Sequence, residues 1–152
     1  MEKQYGNDVA IVFKHQPLPF HDKAMGAALA VQAANRQKKG WAMHDKLFEN
    51  NTALTREDID KYAKEIGLDM AKFKKDMDDP ALKQQVDADQ KIANSVGASG
   101  TPTFFVNGRI LVGAQGFEKF QELINEEIKQ ADALIAAGVP KGEIYKKRAT
   151  SQ

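Results

Sequence analysis

An α/β fold with a small mixed sheet and a large helical insertion is what this sequence predicts, on three observations. A continuous apolar run, Val9-Ala10-Ile11-Val12-Phe13, is β-branched and aromatic in type. Between His21 and Val96 the apolar spacing is helical almost throughout. After Gly97 the period changes to a strand, a hairpin and one long helix. No internal repeat or low-complexity linker interrupts the 152 residues, so one domain over 1–152 is expected, with the insertion at about 21–97.

The elements follow in order. Met1 to Asn7 is polar and ends in the helix-terminating pair Gly6-Asn7, so it reads as the last turn of a helix. The run from Val9 suits a strand covered on both faces, and Pro17 and Pro19 end it. Ala24, Ala27, Ala28, Val31 and Ala34 make a small-residue helical stripe suited to close packing. Gly40 and Trp41 open a segment carrying Leu47 and Phe48. Thr55 with Asp58 forms a capping arrangement ahead of Ile59, Tyr62, Ala63 and Ile66, and Gly67 stops that helix. Asp69 caps a short helix presenting Met70, Phe73 and Met77. Asp79-Pro80 is a cap with proline at the first helical position, and Leu82, Val86, Ala93 and Val96 continue to Gly97. Thr103–Val106 and Arg109–Val112 flank Asn107-Gly108, the strongest short hairpin signal. Phe117, Phe120, Leu123, Ile124, Ile128, Ala131 and Ile135 mark a long amphipathic helix, ended by Gly138 and Pro140. A polar tail with Lys146, Lys147 and Arg148 follows.

Composition removes several function classes. A net charge of +1, with basic residues interleaved among acidic ones, gives no footprint for nucleic acid. No apolar run approaches the roughly 20 residues of a membrane span, and the N-terminus has no signal-peptide pattern. Zero cysteine excludes disulfides, thiolate nucleophiles and thiolate metal sites within these residues. His15, His21 and His44 form no paired spacing on one helix, so no metal site is expected. His21 reads as a cap for the helix after it. Trp41, Phe48, Phe73, Met70 and Met77 read as core of the helical block. There is no Gly-X-Ser-X-Gly elbow, no phosphate loop, and no sign of a cofactor.

The run Gly100-Thr101-Pro102-Thr103-Phe104-Phe105-Val106-Asn107-Gly108 is the most informative. With Phe13-Lys14-His15-Gln16-Pro17-Leu18-Pro19 before it and Gly113-Ala114-Gln115 after it, this chain resembles the DsbA-like thiol–disulfide oxidoreductases. The resemblance spans nearly the whole chain, from Val9 to the helix at Phe117. It implies a thioredoxin-like fold, truncated here: the family's first strand, its Cys-X-X-Cys pair and most of its first helix have no counterpart. Gly116 stands where the family pattern has proline, which loosens the last helix's start.

A proline before a strand is tolerated where its missing N–H serves no ladder bond, and only an X-Pro bond adopts cis at modest cost, about 0.5–1 kcal/mol. The resemblance implies a cis bond at Thr101-Pro102. A cis bond there leaves the Thr101 backbone open to an incoming extended peptide, a form of strand addition. Thr101 and Pro102 are therefore the expected substrate-binding residues, joined by His15 in a loop that faces the peptide groove. No catalytic residue is expected.

The expected function is protein thiol–disulfide exchange of the family type, with this chain inactive alone for want of cysteine. The alternative is a non-catalytic peptide- or partner-binding module. The resemblance also implies an extracytoplasmic location, the bacterial periplasm or cell envelope, for the full protein. In a thioredoxin fold the first strand lies between those matching Val9–Lys14 and Thr103–Val106. Its loss strands buried backbone groups, at about 1–3 kcal/mol each, and uncovers apolar surface. A homodimer with exchanged or shared strands is the expected remedy.

Overall fold

The computed structural model describes residues 2–150; Met1, Ser151 and Gln152 lie outside the described residues, as does that much of the expected N-terminal helix end and C-terminal tail. The order is α1 (Glu2–Tyr5), a 3-10 turn (Gly6–Asp8), α2 (Ala24–Arg36), α3 (Gly40–Glu49), α4 (Arg56–Glu65), α5 (Met70–Met77) and α6 (Pro80–Ser95). Then come β1 (Thr103–Val106), β2 (Arg109–Val112), α7 (Phe117–Ala136), a second 3-10 turn (Lys141–Glu143) and α8 (Ile144–Ala149). The chain divides into two compact units: Phe13–Gly97, and the described residues up to Val12 together with those from Ala98 on. The stretch of about 21–97 expected as a helical insertion falls within the first unit.

The helical unit is built as the caps predict. Thr55 and Asp58 close a reciprocal box: Asp58 N–H donates to Thr55 Oγ1 at 3.2 Å, and Thr55 N–H donates to Asp58 Oδ2 at 3.0 Å. Asp69 Oδ1 accepts from the N–H groups of Ala71 and Lys72, and Asp79 Oδ1 accepts from Ala81 ahead of α6. Each carboxylate is held below its usual range, Asp69 chiefly by the Lys72 N–H and Asp79 chiefly by the Ala81 N–H. His21 supplies no side-chain cap to α2; its carbonyl accepts from Ala24 N–H instead.

Ala30, Ala33 and Ala34 of α2 let Met43, Leu47, Ile59, Tyr62, Ala63, Phe73, Met77 and Leu82 close around them. The inward face of α2 is wider than the expected stripe: Ala28 and Ala34 are buried and Ala27 and Val31 pack on the core, and Ala30 and Ala33 join them. Alanine at most positions gives several small faces, and packing selects among them. Phe73 and Met77 are core as expected, with Met70 packed against it, but Trp41 and Phe48 are 49% and 62% exposed. Met43 and Leu47 take the inward side of α3; at 100° per residue, Trp41 and Phe48 fall on the opposite side.

In the second unit β1 and β2 form a two-stranded antiparallel sheet, with Val106 paired to Arg109 and Thr103 to Val112. Asn107 (φ 49) and Gly108 (φ 95) make the two-residue turn, the left-handed geometry this dipeptide suits. The expected strand at Val9–Lys14 joins no ladder: Val9 has extended backbone, and Ile11 and Val12 are exposed. An apolar β-branched run fixes the backbone conformation, but a strand also requires a neighbour, and among the described residues none pairs with it. The mixed sheet is accordingly reduced to its antiparallel hairpin.

Phe104 packs edge-on against Phe120 of α7 with centroids 4.8 Å apart. Tyr5 Oη donates to Asn125 Oδ1, setting α1 against the same helix. The stretch expected as a polar tail forms α8, because Glu127, 2% exposed, receives Arg148 at 2.9 and 2.8 Å. Arg109 lies 3.6 Å from the same carboxylate, and Asn107 Nδ2 donates to it at 3.4 Å.

Two stability predictions follow from these cores. Phe73→Ala empties a buried site and is expected to lower unfolding free energy by about 3–5 kcal/mol, whereas Phe48→Ala stays within about 0.5 kcal/mol. Denaturant titration of both variants checks the contrast. Arg148→Ala leaves Glu127 short of its main partner, a loss of about 1–3 kcal/mol at neutral pH. The Arg148 bond is the largest influence holding Glu127 below 4.5, so its contribution is present above that value and fades as pH falls through the folded pKa. The gap between wild type and Arg148→Ala should therefore shrink in acid.

Candidate functional site

The entry to the hairpin is assembled by short local bonds. Gly97, at φ 77, ends α6. The Thr101–Pro102 peptide bond is cis. Thr103 Oγ1 donates to the Gly100 carbonyl at 2.7 Å, tightening the turn, and Gly113 N–H donates to the Pro102 carbonyl at 2.9 Å. Thr101 and Pro102 are both exposed and stand side by side at the mouth of β1.

That last bond, with the pairing register, fixes which backbone groups of β1 face outward. In an antiparallel hairpin, hydrogen-bonded pairs recur every second residue. Val106–Arg109, Phe104–Leu111 and Pro102–Gly113 belong to one set. The N–H and C=O groups of Thr103 and Phe105 therefore point away from β2, towards an edge that no strand occupies among the described residues. Phe104 faces α7, so Phe105, Ile110 and Val112 share the other face of the sheet, at 43%, 50% and 60% exposure.

His15 belongs to the helical unit, and Thr101 and Pro102 to the hairpin unit; each is described within its own unit. His15 is 5% exposed. Its backbone N–H donates to Asp89 Oδ2 at 3.2 Å, while Lys14 Nζ donates to Asp89 Oδ1 at 2.7 Å. Gln90 Nε2 donates to the Pro17 carbonyl and Gln16 Nε2 to Asn94 Oδ1, so α6 holds the segment from Lys14 to Pro17 along its length. Beside it Phe13 meets the edges of His15 and His44, at 5.2 and 4.7 Å, and His44 lies between Trp41 and Phe48. Phe13 with Trp41, His44 and Phe48 of α3 forms a partly exposed aromatic cluster, and His15 is buried beside it.

Asp89 and Glu127 are the residues sequence reasoning missed. Both occupy apolar-stripe positions, Asp89 three after Val86 and Glu127 three after Ile124. A carboxylate in such a stripe is the signal that finds them, since burial of that kind needs dedicated donors. Among the described residues no group of three or more His, Cys, Asp or Glu is placed to hold a metal ion. No helix among them is long and apolar enough to cross a membrane.

Burial is the largest influence on His15 and lowers its pKa from 6.5; Asp89 opposes this, and His44 and Lys14 add to it. A histidine buried neutral binds fewer protons than in the unfolded chain, so its contribution is lost as pH falls below 6.5 and through the folded value. His15→Phe keeps a ring there without the titration. Its denaturation midpoint is expected to change less between neutral and mildly acidic pH than that of wild type; equal slopes would refute this.

Comparison with known proteins matches these residues to one family. The family model for the DSBA-like thioredoxin domain matches residues 3–125. The chain is 40% identical over 114 residues to the Na(+)/H(+) antiporter NhaA of Herminiimonas arsenicoxydans, covering 75% of this chain and 18% of that protein. It is 38% identical over 102 residues to Na(+)/H(+) antiporter NhaA 3 of Salinispora tropica, covering 66% and 16%. It is 36% identical over 112 residues to Na(+)/H(+) antiporter NhaA 1 of Salinispora arenicola, covering 73% and 17%. The chain thus spans less than a fifth of the length of these relatives. No solved structure gives a significant match. The match takes in the hairpin, the helical unit and the exposed Thr101–Pro102 mouth, and by it this chain belongs to the DSBA-like thioredoxin domain family.

Proposed function

We propose that this chain is the polypeptide-holding part of a DsbA-like thiol–disulfide oxidoreductase, redox-inactive in itself. The observation that carries the reading is the exposed Thr101–Pro102 mouth beside an unpaired strand edge, in a member of this family without cysteine. Exchange proceeds by thiolate attack on a disulfide, and the thiolates must come from outside these residues. The chain's own work is to hold an extended polypeptide at Thr101 by main-chain bonds, with side-chain selectivity secondary. Protein disulfide chemistry of this kind belongs to oxidising surroundings, and an extracytoplasmic site, the bacterial periplasm or cell envelope, fits it.

A second reading, a non-catalytic polypeptide-binding module, is favoured by the zero cysteine count. The antiporter relatives suit that reading, because a holding module needs no chemistry of its own within a larger protein. Ion exchange does not transfer with the match, which covers 18% of the first of those relatives.

Binding of an unfolded, cysteine-free polypeptide, followed by fluorescence anisotropy, tests the holding role. Thr101→Ala, which keeps the backbone, should bind as wild type does, whereas Thr101→Pro, which removes the N–H, should lose binding. Equal binding by both variants would defeat the strand-addition reading. Turnover by the wild-type chain in a thiol–disulfide assay would defeat redox inactivity. An in-frame Cys-X-X-Cys just upstream in the coding sequence favours the oxidoreductase, and its absence favours the module.

A further inference from the structure

Packing does not hold the loop that carries Thr101 and Pro102. Ser99, Gly100, Thr101 and Pro102 are all exposed, and a Cβ at Gly100 would meet no atom within 4 Å. Two hydrogen bonds hold the loop instead. Gly113 N–H donates to the Pro102 carbonyl at 2.9 Å, which ties the far side of the loop to the hairpin. Thr103 Oγ1 donates to the Gly100 carbonyl at 2.7 Å, which ties the near side. Among the described residues no backbone bond spans Gly100 to Thr103, and Pro102 has no N–H to offer, so the hydroxyl takes the place of a turn bond.

Both neighbours of Thr101 thus have their carbonyls engaged, whereas the N–H and C=O of Thr101 make no bond among the described residues. Within the loop these are the groups left for an arriving main chain. The Thr103 hydroxyl bears on that encounter in two ways. Glycine is the least restrained residue of a chain, and pinning its carbonyl fixes where Thr101 points before anything binds. Less ordering then remains to oppose binding. The same bond engages the Gly100 carbonyl, which would otherwise compete with that of Thr101 for incoming N–H groups.

We propose that Thr103 is the positioning residue of the Thr101–Pro102 mouth, setting its affinity for an extended polypeptide. Thr103 acts through Gly100 and has no need to touch the polypeptide with its side chain. The inference rests on the holding role proposed above and adds the side chain that makes Thr101 the docking point.

Thr103→Val keeps the β-branched shape and removes the hydroxyl, whereas Thr103→Ser keeps the hydroxyl and removes the methyl group. The probe is a fluorescein-labelled, cysteine-free peptide of extended sequence, followed by anisotropy. Its binding is expected to weaken about three- to ten-fold in Thr103→Val, the worth of one hydrogen bond, and to recover in Thr103→Ser. The thermal midpoint should be alike in all three proteins, because the bond is exposed. Without peptide, the Thr101 amide resonance should move in Thr103→Val and stay near its wild-type place in Thr103→Ser. Thr103→Ala replaces Thr103→Val if circular dichroism shows the latter misfolded. Wild-type affinity in Thr103→Val overturns this inference and leaves the holding role standing. Equal weakening in Thr103→Val and Thr103→Ser, or a midpoint that falls with the affinity, overturns it too, by assigning Thr103 to packing. A wild-type chain that does not bind the peptide overturns the holding role and this inference with it.

Discussion

The hairpin unit depends on one buried carboxylate. Glu127 lies on the inward side of α7, where ionisation without partners would cost several kcal/mol. It stays charged because Arg148 donates to it twice, Arg109 lies beside it and Asn107 donates a further bond. These donors come from α8, β2 and the turn between the strands. One side chain of α7 thus ties together α8, β2 and the turn between the strands. The turn sets the strand register, and the register decides that Thr103 and Phe105 present their backbone outward.

The helical unit is held differently. Its centre is made of alanines, which let α2 approach its neighbours closely, with Phe73 and Met43 filling the space between. Its polar counterpart to Glu127 is Asp89, but that residue grips an extended segment rather than a helix. Lys14 and His15 are drawn down on α6, and His15 is buried as a result. A histidine that the sequence places in an open loop thus belongs to the packing of that segment. The aromatic face of Phe13, Trp41, His44 and Phe48 is what the same packing leaves outside.

The proposed function separates holding from chemistry. The chain belongs to the DSBA-like thioredoxin domain family and contains no cysteine, so any thiolate for the exchange proposed above must come from elsewhere. In the function proposed above, the holding apparatus is the exposed loop at Thr101–Pro102 and the strand edge beside it, with Phe105, Ile110 and Val112 exposed on one face of the sheet. Strand addition of the kind proposed would recognise main chain in preference to side chains, because backbone groups are what a strand edge offers.

Local chemistry made most of the elements legible. Thr55, Asp69 and Asp79 cap the helices they precede because a short polar side chain beside free N–H groups needs nothing more distant. Asn107-Gly108 turns the hairpin because few other pairs accept two positive φ angles in succession. The run from Gly100 to Gly108, taken together with Phe13–Pro19 and Gly113–Gln115, indicated the family. The tertiary structure decided what depends on partners remote in sequence. Val9–Phe13 has the composition of a strand and Val9 has extended backbone, yet no sequence rule says whether a strand lies beside it. The inward faces of α2 and α3 were chosen by what packs on them, which turned Trp41 and Phe48 outward. Asp89, Glu127 and the helix at Arg148 became part of the fold only when donors many residues away met them. Sequence by itself determined the conformations of short segments; packing determined which groups are buried, paired or left open, because burial is a property of the assembled chain.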